Sequence, residues 1–474
     1  MKAMPALCVL LENAPRSLRV LRSIPFSRAT LVLMRGICFL SLLLWSSAPA
    51  LAQEASRDKP TPSSVDEIVD PMDRTFEKAP PKEERAKPAH PFFRDQKLDL
   101  NLRTFYMVKN KTDDSMSEAW ALGGALSYKS GYLLDHFGMG AAVYTSQPLY
   151  APEERDGTNL LKPGQEGYTV LGQLYGEIKV VPDNFFRFYR QEYTTPYINK
   201  NDFRMTINTF EGYSFQGTWG GKDKAPGLRY GGGYITKIKE RNSDEFVWMS
   251  RDAGANVNRG VALAGVNYSQ GPFSIGVIDY YSDDIINIFY TEAKAVFKPT
   301  KELGVLVAAQ YTDQRSVGDD LLKGYGFSTS QFGIKGEMSF QKAILTLGYT
   351  VAGKGADLQN PWSSCPGYTS VQVMDFNRAG ENALIGKLSY DFGSLGLTGV
   401  TAYALWVHGW NRVNPTGSAP VKQEDEYDLD LQWRPQIKVL KGLWLRARYA
   451  YVDQRGGPDQ SDFRVILNYD IPLL

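Results

Sequence analysis

From Leu98 onward, apolar or aromatic side chains occupy every second position in one short segment after another, and no long helical period interrupts them. Phe463, Val465, Leu467 and Tyr469 alternate with Arg464, Ile466, Asn468 and Asp470. Leu445, Ala447, Tyr449 and Tyr451 alternate with Arg446, Arg448 and Ala450; Tyr427, Leu429, Leu431 and Trp433 with Asp428, Asp430, Gln432 and Arg434; Leu345, Leu347, Tyr349 and Val351 with Thr346, Gly348 and Thr350. A period of two belongs to strands with one greasy and one wet face. The 44 glycines, 27 tyrosines, 23 phenylalanines and 9 tryptophans suit aromatic-rich strands, while 3 histidines and 3 cysteines disfavour a metal or thiol enzyme.

The segments number about eighteen, near 98–108, 118–129, 135–146, 167–180, 184–193, 210–219, 228–239, 259–269, 272–282, 286–297, 304–313, 329–340, 343–352, 380–392, 397–409, 425–437, 442–455 and 461–474. Their connections sort by length. One set is short (270–271, 341–342, 393–396, 440–441) and the other mostly long (147–166, 194–209, 240–258, 314–328, 353–379). Short periplasmic turns against long external loops mark a transmembrane antiparallel β-barrel. A soluble sandwich turns its apolar face inward over a dry core and gives its connections no reason to sort. In lipid every backbone group is paired within the protein, and closing the sheet achieves this with strands. A barrel of this strand number is too wide for its side chains to fill, so it encloses water and a pore is its default function.

The front of the chain carries an export signal. Arg35, the apolar run from Ile37 to Trp45 and the small-residue site Ala50-Leu51-Ala52 give the three regions of a secretory signal over 1–52, with Met34 as an alternative start. Its apolar core is too short for the roughly twenty residues of a spanning helix. After residue 52 the chain carries 47 basic and 51 acidic residues, a balance with no attraction for nucleic acid. Residues 53–93, rich in Pro, Lys, Glu and Asp, are expected to be a flexible periplasmic extension, and 94–474 the barrel. Cys8 and Cys38 leave with the signal, so Cys365 stands alone and no disulfide supports the fold.

If the greasy face meets lipid, the wet face carries Arg103, Arg187, Arg434, Arg446, Arg448 and Arg464. Arginine is always charged and its planar fork suits carboxylates, so a row on one wall could lead an anion inward in steps. The bland reading is that Asp428, Asp430 and Asp470 neutralise the row as solvated pairs, and both readings stand at this level. The third external connection, 194–212, holds amides, opposite charges and aromatics; an ordinary surface loop and an inward-folded constriction are both open to it.

Arg190-Gln191-Glu192-Tyr193-Thr194-Thr195-Pro196 and Asn201-Asp202-Phe203-Arg204-Met205-Thr206-Ile207-Asn208-Thr209-Phe210-Glu211-Gly212-Tyr213 resemble the third-loop region of the OprD-type porins, substrate-specific carboxylate channels of Gram-negative outer membranes. Leu100-Asn101-Leu102-Arg103-Thr104-Phe105-Tyr106 is similar to that family's first strand, and Arg446-Ala447-Arg448-Tyr449 with Asp462-Phe463-Arg464-Val465 to its closing strands. The resemblance implies a monomeric eighteen-stranded barrel in the outer membrane, with the third loop folded inward as an eyelet. It also implies a basic ladder that conducts carboxylate-bearing solutes, such as amino acids or aromatic acids, without a cofactor. Asp202 and Arg204 fall on the eyelet stretch; Arg446, Arg448 and Arg464 match the ladder's place approximately. The partners implied are small anionic or zwitterionic solutes, outer-membrane lipid and the barrel-assembly machinery, although the chain ends Ile471-Pro472-Leu473-Leu474 without a terminal aromatic.

Two other classes compete with a pore. A barrel hydrolase would need a base beside a nucleophile; His136 and His408 are the histidines of the strand region, at opposite ends of their strands, and no G-x-S-x-G or H-E-x-x-H motif occurs. A receptor or adhesin would work through the long loops 147–166 and 353–379.

Overall fold

The computed structural model describes residues 90–221, 226–362, 365–413 and 423–474. The expected signal, 1–52, and the extension up to residue 89 lie outside the described residues. At the end of that extension Pro91–Arg94 forms a single helical turn, capped by the His90 side chain.

The barrel strands are β1 (Lys97–Asn110), β2 (Met116–Lys129), β3 (Phe137–Tyr150), β4 (Tyr168–Val181), β5 (Asn184–Gln191), β6 (Thr209–Gly220), β7 (Gly227–Lys239), β8 (Val261–Gln270) and β9 (Phe273–Ser282). They continue with β10 (Ile286–Phe297), β11 (Leu303–Arg315), β12 (Ser328–Phe340), β13 (Ala343–Ala352), β14 (Asn382–Asp391), β15 (Val400–Trp410), β16 (Glu424–Trp433), β17 (Leu443–Gln454) and β18 (Gln460–Pro472). Each pairs antiparallel with its sequence neighbours, and β1 pairs on its other side with β18 from Asp99↔Pro472 to Asn110↔Ser461. These eighteen strands close into a ring, so no ladder edge is left to lipid. A two-residue strand, Val247–Trp248, adds to the end of β7.

The eighteen expected segments correspond one to one with these strands, and only the ends move. The segment expected at 425–437 stops at Trp433, since Pro435 has no N–H to give a ladder. The one expected at 135–146 runs on to Tyr150. There the polar Gln147 and Pro148 hide a strand that continues through pairing of Pro148 with Ala121, beside an irregularity at Trp120/Ala121.

Alternation fixes which face is which. On β16, Tyr427, Leu429 and Leu431 are 47%, 59% and 52% exposed, while Glu426, Asp428 and Asp430 are buried. Apolar side chains are thus turned out and charged ones in, the reverse of a soluble sheet, and this is stable where the outer medium is hydrocarbon. At one point the wall is too tight for any side chain: a Cβ on Gly124, whose φ is +133°, would sit 1.9 Å from the Asn101 carbonyl oxygen. Among the described residues no helix is long and apolar enough to cross a membrane; the crossing elements are the strands.

Candidate functional site

Several external loops pack against inward-facing side chains of the barrel, and the third and seventh each touch two separate walls. The third, 192–208, crosses the lumen. At one end Tyr197 packs edge-on against Tyr280 of β9 and Tyr290 of β10, with ring centroids 5.9 and 6.3 Å away, and its Oη donates to Thr312 Oγ1 of β11 at 3.1 Å. At the other end Asp202 accepts from Arg103 of β1 at 2.5 Å, and the Arg204 carbonyl accepts from the same guanidinium at 2.6 Å. Strands β9–β11 and β1 are far apart around the ring, so a loop that touches both spans the opening.

The seventh loop, 353–381, bridges a different pair of walls. Its Tyr368 Oη donates to Glu292 of β10 at 2.7 Å. Further along, Val371 N–H donates to the Met374 carbonyl, closing a turn. The amides of Val373 and Met374 donate to the two oxygens of Glu426 on β16, each at 2.8 Å. Length alone makes the seventh loop a candidate outward receptor surface; residues 368–376 instead contact the inner wall of the barrel. The one available signal was the apolar alternation of Val371, Val373 and Met374 around the polar Gln372.

Around these loops the lumen divides into two kinds of wall. On the β6–β11 side a dry cluster fills the external half: Tyr193, Tyr197 and Ile198 of the third loop, Met249 of the fourth (240–260), Trp362 of the seventh, and Phe210, Ile235, Tyr280 and Ile288 from the strands. Trp362 Nε1 also donates to the Met249 carbonyl at 3.0 Å, joining two loops through a buried polar contact. On the side of β16–β18 and β1 the wall is charged.

The structure brings most of the sequence-selected arginines together there. Arg446 Nε donates to Asp430 Oδ2 at 2.7 Å, and Arg448 Nε lies 3.0 Å from the same oxygen. Arg448 also donates to Tyr403 Oη at 3.1 Å. Arg464 takes both oxygens of Asp462, 2.8 Å each, and its Nη2 donates to the Gln372 carbonyl at 3.1 Å. Arg204, deep in the third loop, donates to the carbonyls of Thr158 and Phe203 at 3.0 and 2.8 Å. Burial, reinforced by the guanidiniums of Arg464 and Arg241, holds Arg204 well below its ordinary pKa.

Two arginines stand apart. Arg187 of β5 pairs with Glu177, which also accepts from Tyr132, near the periplasmic turn 130–136. Arg434, just past β16, lies over the Trp444 ring at 5.1 Å. Of the neutralising carboxylates named from the sequence, Asp430 is paired with both Arg446 and Arg448, buried rather than solvated. Asp428 instead accepts the Gln372 amide at 3.3 Å, and Asp470 accepts from Asn101 at 2.6 Å. Asp462 had not been singled out, though it stands two residues from Arg464 on the same face. Three lysines were also passed over: Lys294 and Lys335 pair with Glu292 and Glu337 at 3.1 and 2.9 Å, and Lys387 lies 4.3 Å over the Tyr403 ring.

The two histidines weighed as bases occupy opposite rims. His136 Nδ1 contacts the Lys179 carbonyl at 2.7 Å at the turn end of β3. His408 is stacked between Trp406 and Trp410 and meets Asp425 at 2.9 Å. Among the described residues no group of three or more His, Cys, Asp or Glu side chains is placed to hold a metal ion.

The comparisons agree with this architecture. Residues 90–473 match the profile of the outer membrane porin, OprD family. Porin D of Pseudomonas aeruginosa is 24% identical over 432 residues, covering 81% of this chain and 92% of that protein. The crystal structure of Pseudomonas aeruginosa OccK9 (OpdG) superposes with a TM-score of 0.73 at 22% identity, covering 81% of this chain and all (100%) of that one. Acinetobacter baumannii OccAB3 gives a TM-score of 0.71 at 18% identity (80% and 100% covered), and Pseudomonas aeruginosa OpdK, solved with vanillate, 0.70 at 19% (80% and 99%). These relatives are channels rather than enzymes. A closed barrel with lipid-facing apolar sides, external loops packed on its inner wall and a family match over residues 90–473 places this chain in the OprD family of outer-membrane porins, as a channel for small solutes.

Proposed function

We propose that this channel passes small carboxylate-bearing solutes, such as amino acids or aromatic acids, down their gradients and without a cofactor. The solutes pass an eyelet between the third loop and the arginine wall. The observation that carries this reading is the convergence of Arg103, Arg446, Arg448 and Arg464 from three adjacent strands, with Asp202 and Arg204 of the third loop facing them. Donors remain to be used there: Arg446 Nη1 and Asn468 Nδ2 have no hydrogen-bond partner among the described residues. A buried donor left unmet costs about 1–3 kcal/mol, so these atoms favour an acceptor that arrives with the solute. The vanillate in the OpdK structure is a carboxylate of the expected size class. Selectivity in such a passage comes from size and from opposed charges, with binding weak enough for release. Arg187 and Arg434 would act nearer the periplasmic end, as approach charges. The same reading takes 1–52 as the cleaved signal, 53–93 as a periplasmic extension, and the working unit as a monomer delivered to the lipid by the barrel-assembly machinery.

Reversal potentials across planar bilayers under a salt gradient test it. Changing Arg446, Arg448 and Arg464 together to Gln is expected to move ion selectivity toward cations and to abolish block of the current by added benzoate. Unchanged selectivity and unchanged block would overturn the role of this wall while leaving the channel itself standing.

A further inference from the structure

Arg464 presents a difficulty for any account in which solutes meet the arginine wall. It is 3% exposed, as is Arg446, and Arg448 is 8% exposed. What covers Arg464 is the apex of the seventh loop. Gln372 is fixed there by four kinds of contact: its carbonyl accepts from Arg464 Nη2 at 3.1 Å, its amide N–H donates to Asp428 at 3.3 Å, and its side-chain Nε2 donates to the Asp462 carbonyl and carboxylate at 3.1 and 3.3 Å. The fourth is indirect. The next two amides are clamped by both oxygens of Glu426, a side chain with no exposure, which sets where the Gln372 carbonyl points. Met374 and Phe376 then sink into an apolar cluster with Ile385, Leu405 and Val407, against which Val371 and Val373 also pack, so the flanks of the turn are seated by apolar contacts while Gln372 between them is held by polar ones.

The chemistry of the apex is that of the solute. A carbonyl oxygen on a guanidinium that already holds one carboxylate occupies the place a second carboxylate would take, without its charge. Resting on the carboxylate reading above, we propose that Gln372 is a specificity-determining residue, an internal stand-in for the solute's carboxylate at Arg464, and that Glu426 is the residue that positions it. A solute gains Arg464 only by displacing a neutral competitor, which keeps the site from holding anions too long and reserves it for those that bind better than an amide.

The test measures benzoate block of single-channel current. Val373→Pro removes one of the two amide hydrogens that Glu426 accepts and changes no charge in the lumen; it is expected to free the apex and tighten benzoate block about tenfold, the worth of one hydrogen bond to a charged group. Glu426→Gln is expected to do the same, and Glu424→Gln, two residues away on the same wall but paired with Arg378 and Arg412, measures how much of that change comes from lost charge alone. Adding Arg464→Gln to Val373→Pro should erase the gain. Block unchanged in Val373→Pro, or a gain that survives without Arg464, would overturn the assignment while the carboxylate reading stood. Absence of block in the parent and in every variant would overturn both. Barrel integrity is read separately, from the faster gel migration of the unheated protein.

Discussion

The two sides of this lumen are built from the same kind of strand and hold their loops by opposite means. On the β6–β11 side, aromatic and aliphatic side chains from five loops and the strands form an apolar mass that needs no particular pH or salt to persist. On the β16–β18 side, the loop apex rests on carboxylates and guanidiniums whose strength depends on geometry, ionisation and screening. The first kind of contact fixes how much of the opening is closed. The second, on the proposed reading, is where a solute exchanges its own hydrogen bonds for those of the wall.

The contrast breaks most severely if the dry side is hollowed. Tyr197→Ala deletes a fully buried ring that touches three strands, at a cost of about 3–5 kcal/mol to the seating of the third loop. Single-channel conductance should rise and become noisy; a conductance equal to the parent's would mean that the loop is held across the opening by other contacts.

A smaller effect is expected from the charged side. Asp430 serves both Arg446 and Arg448, all three buried, so Asp430→Asn leaves two like charges without the carboxylate they share, at about 3 kcal/mol. Ion selectivity should move toward anions with little change in conductance. Unchanged selectivity would show that this carboxylate does not contribute to the field a permeating ion meets.

The mildest test concerns the end of the seventh loop. Burial, with Glu424 nearby, pushes Glu381 up to about 8 from the ordinary 4.5, and its Oε2 accepts the Arg378 amide at 3.0 Å. The folded loop therefore keeps a proton that the unfolded chain releases. The stability Glu381 contributes is complete below pH 4.5, declines above it and is lost as pH rises through about 8. Hydrogen exchange at the Arg378 amide, corrected for base catalysis, should speed up across that interval in the parent and stay flat in Glu381→Gln. A flat parent profile would remove this group from the loop's energetics.

How much of this was legible in the sequence follows from what kind of rule each feature obeys. Strand number, order and facing obey a period of two, which is local, so Leu429 out and Asp430 in could be assigned from neighbours alone. The inward set of arginines came from the same parity. Pairing does not obey a local rule: whether Arg464 would meet Asp470 or Asp462, or Arg103 would meet Asp202, depends on side-chain reach and on where a loop lands. The third loop's inward path was reached through resemblance rather than composition, and the seventh loop's was missed because its amides, not its side chains, make the decisive contacts with Glu426. Backbone donors are identical in every sequence and leave no trace in one.

The pairing of β1 with β18 carries a final consequence for how such a molecule comes into being. Asn101 meets Asp470, and Arg103 meets Asn468, across separations of 369 and 365 residues. No other neighbouring pair of strands asks the chain to search so far, so this seam is the slowest contact to find by diffusion and the natural last step. Until it forms, the sheet keeps two long raw borders that hydrocarbon cannot solvate. Construction is therefore all or nothing: a sheet of seventeen strands is not a weaker channel but an adhesive ribbon, and the ladder of this one join decides whether there is a hole in the membrane at all.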